Sequence, residues 1–167
     1  SGLMLLSNHP SFPMFYNCSH DNEYLYLDME MMTGGSLADF IDAFAPLSIN
    51  VTRHFSAQLL CGIEYMGQND LVHCDLSARN VMLTQDGRIK IIDFGYMVKS
   101  GERCPFEMSG SLNWFAPEAR DSPMTTKADL WSLGIIIFRM ATDESPFDAD
   151  DSDCQVVLWS IFEGFES

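Results

Sequence analysis

Basic residues are scarce in this chain of 167 residues: 9 Lys and Arg stand against 24 Asp and Glu, a net charge of −15. None precedes Arg53 and none follows Arg139. A surface of that sign repels phosphate backbones, which argues against nucleic-acid binding and favours a basic partner or substrate. Cys-x-x-Cys pairs are absent too. The five cysteines (Cys18, Cys61, Cys74, Cys104, Cys154) are scattered, a poor zinc site and a poor disulfide framework, so a reducing compartment is expected. Long apolar runs are missing: the longest, Leu130 to Ala141, is too short to span a bilayer and contains Arg139. No signal-peptide pattern is visible, and the chain opens on Ser rather than Met, as an internal fragment would. The expected setting is cytoplasmic, or the cytoplasmic portion of a larger protein, with no membrane contact from this segment. Repeats, low-complexity tracts and interdomain linkers are also lacking, while 47% apolar content gives one domain enough core.

What is present runs from strands into helices. Residues 12–17 and 24–31 read as strands around the turn-like Ser19-His20-Asp21-Asn22. Gly34-Gly35 breaks the second strand. Ser36, with Asp39 three residues on, marks a helix start before Leu37, Phe40 and Ile41. Val51, Phe55, Leu59, Ile63 and Met66 then form the stripe of a long helix. Val81-Met82-Leu83 and Ile89 to Ile92 flank Asp86-Gly87, a hairpin signal. Residues 96–115 read as a long loop. Thr126 to Thr142 is apolar nearly all round, which implies a buried helix, and residues 152–162 form a last helical pattern.

The hairpin gathers chemistry. Asn80 opens its first strand and Asp93 closes its second, and antiparallel pairing brings those ends together. Asp75 stands five residues before Asn80. One amide oxygen and two carboxylates are hard oxygen donors that suit Mg²⁺ bound together with phosphates. A carboxylate beside them can accept a hydroxyl proton. Taken singly, Asp and Asn are more often turn and cap residues than site residues.

These residues lie in a larger pattern. His73-Cys74-Asp75-Leu76-Ser77-Ala78-Arg79-Asn80 resembles the catalytic loop of the protein kinase family, Asp93-Phe94-Gly95 its D-F-G motif and Ala116-Pro117-Glu118 its A-P-E motif. Any one match is weak, whereas three in order at sensible spacing are specific. The resemblance extends over nearly the whole chain. Asn8-His9-Pro10 is similar to the loop after the family's C-helix. Leu25 to Met32 is similar to the fifth strand and hinge, with Met29 as gatekeeper. Asp129 to Gly134 resembles the start of the buried F-helix.

The resemblance implies an α+β, protein kinase-like fold: a mostly helical C-lobe (residues 36–167, through the G-helix region) beyond a hinge (30–35) and a remnant of the N-lobe sheet (1–29). It implies transfer of the ATP γ-phosphate to a hydroxyl of a protein substrate. Asp75 would accept the proton, with Arg79 as a second catalytic group. Asn80 and Asp93 would hold Mg²⁺. Backbone groups of Glu30 and Met32 would bond adenine, with Leu37 and Leu83 packed below it. Asp129 would brace the catalytic loop, and Met4, Phe15, His73 and Phe94 would stack in an internal column, His73 being a packed histidine rather than a base.

Several features depart from the pattern. Cys74 replaces the usual Arg, which in the family pairs with a phosphate on the activation segment, so activity independent of that phosphorylation is expected. Ser77 replaces the Lys of Ser/Thr kinases, and Arg79 stands where many tyrosine kinases carry a cation. Gly110 to Phe115 nevertheless resembles the tyrosine-kinase-like Ser/Thr group. Both specificities stay open, with Ser/Thr or dual specificity preferred. No G-x-G-x-x-G motif is present and the first Lys is Lys90, so this polypeptide alone is expected to bind nucleotide weakly and catalyse poorly. The rival reading is a pseudokinase, a protein-interaction or scaffold module in kinase shape.

Overall fold

The computed structural model describes residues 5–104, 116, 118, 122–144 and 146. The expected helix at 152–162, Met4 and the Gly110 to Phe115 segment lie outside them. Strands β1 (Phe15–His20) and β2 (Leu25–Met29) pair antiparallel, with an irregular register between Phe15 and Asn17. The hairpin begins later than the sequence suggested. Asp21 Oδ1 accepts the amides of Glu23 at 2.8 Å and Tyr24 at 2.7 Å, which puts the turn at 21–24. An Asp side chain that satisfies backbone two and three residues on is an efficient turn former.

Helix α1 (Leu37–Phe44) starts where expected. Ser36 Oγ accepts the Asp39 amide at 3.1 Å, and Asp39 Oδ2 accepts the Ser36 amide at 3.0 Å. Such a reciprocal cap is worth about 1 kcal/mol. Helix α2 (Ile49–Gln68) is capped by Ser48 and buries Phe55, Leu59, Ile63 and Met66. Helix α3 (Thr126–Thr142) buries Ile135, Ile136, Leu133 and Met140, but Leu130 and Phe138 stay exposed, so it is not covered on every side. Leu47 N donates to Met140 O at 2.7 Å, and Arg139 Nη2 meets Asp42 Oδ1 at 2.8 Å, so α1 and its exit loop are tied to α3.

Strands β4 (Val81–Leu83) and β5 (Ile89–Ile91) form the expected hairpin, with Val81 opposite Ile91. It lies against α2 so closely that a Cβ on Gly62 would stand 2.8 Å from Ile91 Cδ1. A further pair was not foreseen. β3 (Leu71–Val72) pairs with β6 (Val98–Lys99), a short strand inside the stretch read as loop. Two-residue strands carry no period, which is why the sequence hid them.

One core holds Leu6, Phe12, Leu37, Ile41, Leu59, Val81, Ile89 and Ile136. A second, smaller cluster holds Val72, Cys74, Val98, Met124 and Ala128. The β1–β2 hairpin contributes only Phe15. Tyr16, Tyr24 and Leu25 are 63–67% exposed and Met31 is 85% exposed. Among the described residues no helix is long and apolar enough to cross a membrane.

Candidate active site

The β4–β5 ladder sets the geometry. Ile92 N donates to Asn80 O at 2.9 Å, which carries the pairing one step past Val81 and Ile91 and aligns Asn80 with the residue before Asp93. Asp93 leaves the ladder with a φ of 62°, a left-handed conformation that Asp tolerates better than most residues, and its side chain is exposed.

Asn80 is held to Asp75 twice. Its Nδ2 donates to Asp75 O and to Asp75 Oδ2, both at 2.8 Å. These bonds consume both amide hydrogens and leave Asn80 Oδ1 as an acceptor. Partial burial raises the Asp75 carboxyl above its ordinary value, the Asn80 amide lowers it, and the charge of Asp93 raises it again. Asp75 and Asn80 are thus directly bonded, and the charge of Asp93 acts on the Asp75 carboxyl. Arg79 sits exposed on the 3₁₀ turn Ala78–Asn80 and makes no ion pair among the described residues.

Beneath them His73 is almost completely buried. Its Nδ1 accepts the Asp75 amide at 3.2 Å, so the ring proton sits on Nε2, which donates to Ile92 O at 3.0 Å. Burial lowers its pKa to about 4, against the raising effects of the Ile92 carbonyl and Asp93. His73 is thus a neutral strut, as expected, and not a base. Its ring lies tilted 5.4 Å from Phe94, which in turn meets Phe15 at 6.2 Å and Phe12 at 6.0 Å.

Asp129 supports the loop from below. Its Oδ2 accepts the His73 amide at 2.9 Å and its Oδ1 the Cys74 amide at 3.2 Å. Burial pushes this carboxyl up to about 6, against those two amides. Cys74 has a φ of 66°, so the chain reverses there and presents two successive N–H groups to one carboxylate.

The hinge side needs one correction. Leu37 is fully buried and Leu83 is 6% exposed, both in the main core, so neither offers a surface to a ligand. Side chains alternate along a strand, and Val81 and Leu83 take the inner face of β4, leaving Met82 on the other. Met82 lies opposite Lys90, and Lys90 Nζ reaches Glu30 Oε2 at 3.0 Å and Phe12 O at 3.0 Å. Met82, not Leu83, therefore faces the hinge. The period-2 pattern held that signal, but not which face met the hinge.

The backbone around Glu30 is fixed from both sides. Glu30 N donates to Met14 O at 2.7 Å, and Glu30 Oε2 accepts Met14 N at 3.1 Å. Burial acts to raise the Glu30 carboxyl, yet the bonds from Lys90 and Met14 outweigh it and hold it below its ordinary value. This Lys90–Glu30 pair was missed, since nothing local in the sequence joins the two. Gly34 N donates to Leu83 O at 3.0 Å and Leu83 N to Gly35 O at 2.9 Å, which docks the glycines on β4. The Glu30 carbonyl and the Met32 amide make no hydrogen bond among the described residues, so both are available.

A family profile described as "Protein kinase domain" matches residues 2–163. The chain is 36% identical to the serine/threonine-protein kinase PLK4 of Xenopus tropicalis over 85% of this chain and 15% of that protein. It is 34% identical to the human cAMP-dependent protein kinase catalytic subunit PRKX over 86% of this chain and 40% of that one. It is 32% identical to mitogen-activated protein kinase kinase kinase 1b of Physcomitrium patens over 97% of this chain and 22% of its relative. The chain belongs to the protein kinase domain family. It spans 15–40% of the length of these relatives.

Proposed function

We propose that the protein carrying this chain transfers the ATP γ-phosphate to a serine or threonine hydroxyl of a protein substrate. The observation that carries the reading is the double hydrogen bond from Asn80 to Asp75 beside Asp93. In this reading residues 1–29 are the end of the N-lobe, 30–35 the hinge and 36–167 the C-lobe as far as the G-helix region.

Asp75 orients the substrate hydroxyl and accepts its proton. Asn80 fixes the carboxylate through Oδ2, which leaves Oδ1 for the hydroxyl. The Glu30 carbonyl and Met32 amide hold adenine against Met82, and Arg79 neutralises charge at the phosphates from the rim. The residues fit Mg²⁺ borne on phosphates. Among the described residues no cluster of three or more His, Cys, Asp or Glu could cage a metal, while Asn80 Oδ1 and Asp93 offer two hard oxygens. Bound there, Mg²⁺ would supply charge neutralisation of the transferred group. Serine or threonine is preferred because one similar relative, PLK4, is named a serine/threonine-protein kinase. A cytoplasmic setting accords with the unpaired cysteines among the described residues.

A Mn²⁺–ATP titration of this chain, followed by water-proton relaxation, tests the site apart from turnover. Weak binding that D93N and N80A each reduce about tenfold or more is expected. Equal titrations of all three proteins would exclude the metal assignment. The apolar β1–β2 surface favours one rival, a kinase-shaped interaction module, in which nucleotide binding is dispensable.

A further inference from the structure

Cys74 and Cys104 come from distant parts of the chain and meet in the smaller core. Cys74 is buried at the end of β3, and Cys104 packs half-buried against the same cluster of Val72, Val98, Met124 and Ala128. The route is built by two turns. After β6, Glu102 N donates to Lys99 O at 3.0 Å, and Gly101 has a φ of 90° that turns the chain back. Gly101 N and Glu102 O are then pinned on either side of Met124, each bond 2.8 Å long. Arg103 and Cys104 consequently return over the β3–β6 pair.

At Cys74, the left-handed φ of 66° accompanies a side chain directed inward, where Sγ donates toward Val72 O at 3.7 Å. Val98, in the same cluster, and Cys104, packed against it, complete its surroundings. The two thiols thus share one cluster, whereas Cys18 and Cys61 are exposed.

We propose that Cys74 and Cys104 are a reversible disulfide site, a redox latch that closes the loop containing Asp75, Asn80 and Asp93. The co-reactant is a low-molecular-weight disulfide such as oxidised glutathione. The Cys104 thiolate attacks it, forms a mixed disulfide and releases one thiolate. The Cys74 sulfur then attacks the Cys104 sulfur, expels the second thiolate and gives up its proton to it. Two protein thiols are oxidised by two electrons, and one small disulfide is reduced to two thiols. Burial raises the Cys74 thiol, so it reacts second and with the neighbour packed against its own cluster. The β6 turn and the catalytic loop would then be covalently joined. The latch goes beyond the proposed phosphotransfer and holds whether or not the protein transfers phosphate.

The test uses the whole chain under native conditions. It is treated with oxidised glutathione, alkylated, digested and mapped by mass spectrometry, beside C74S and C104S variants and a sample oxidised in urea. The expected dominant product is the Cys74–Cys104 cross-link. It should be lost in either variant, lose its dominance in urea, and raise the melting temperature by several degrees until dithiothreitol reverses it. Glutathione adducts on Cys18, Cys61 or Cys104 with Cys74 left as a free thiol would overturn the proposal. So would Cys154 replacing either partner as the main product. If one serine variant fails to fold, the wild-type map and the other variant still decide the matter.

Discussion

The His73 ring joins the two arms of the site: its Nδ1 accepts the Asp75 amide at 3.2 Å while its Nε2 donates to the carbonyl of Ile92 at 3.0 Å. Only a neutral imidazole with the proton on Nε2 can do both. The side chain fixes the separation of Asp75 from the segment that leads out of β5 to Asp93.

Replacing His73 by Leu keeps the bulk and removes both hydrogen bonds. A part-buried N–H and a part-buried C=O then lack protein partners, each costing about 1–3 kcal/mol if water does not replace the ring. H73L should lower the unfolding free energy by roughly 2–5 kcal/mol in urea titrations. A loss under about 0.5 kcal/mol would mean that water replaces the ring.

His73 and Asp129 have opposite pH linkages in one window. His73 falls from 6.5 to about 4 on folding, so its contribution is present above pH 6.5 and lost as pH drops toward 4. Asp129 rises from 3.8 to about 6, so its contribution is present below pH 3.8 and lost as pH climbs through 6. The slopes oppose each other between pH 4 and 6. D129N removes one of them. Its stability, relative to the parent, should therefore rise with pH there by about 1.4 kcal/mol per unit at most. Parallel stability curves for the two proteins would show that Asp129 does not titrate in this range.

Gly34 carries the glycine pair onto β4. A Cβ there would stand 2.5 Å from Leu83 O, closer than any backbone tolerates. G34A should destabilise by about 1–3 kcal/mol and speed hydrogen exchange at the Leu83 amide. Unchanged exchange would mean that the loop shifts without cost.

The Lys90–Glu30 pair is largely shielded, with side chains 13% and 29% exposed at 3.0 Å. A double-mutant cycle with K90M and E30Q should give a coupling of about 1–2 kcal/mol, above the surface norm of about 0.5. A coupling near zero would reduce the pair to a surface contact.

Apolar exposure on β1–β2 predicts self-association. Leu25 and Met31 are 65% and 85% exposed. L25E with M31E should shift sedimentation toward monomer while leaving the melting temperature within a few degrees, since neither side chain packs in the core.

Local signals were the legible ones. Ser36 with Asp39, Asp86-Gly87 and the α2 stripe each encode their geometry within a few residues, and all three elements formed. The ordered motifs also brought Asp75, Asn80 and Asp93 together, because an antiparallel hairpin must join its ends. What the sequence concealed was long-range or two-sided. The β3–β6 pair joins two-residue strands, and Lys90 reaches Glu30 across the fold. The resemblance assigned Leu83 to the adenine face, whereas the structure turns it into the main core beside Leu37. The β1–β2 turn moved because the Asp21 carboxylate could cap Glu23 and Tyr24, a choice that several neighbouring polar residues obscured.

The most direct test of the central claim is Mg²⁺–ATP-dependent phosphate transfer to a basic serine/threonine peptide by the protein that carries this chain. The same protein carrying D75N serves as comparison. Transfer that D75N reduces about 100-fold or more is the predicted result, because Asp75 is the residue assigned to the hydroxyl proton. Equal transfer by both proteins, or nucleotide binding with no transfer by either, would contradict it.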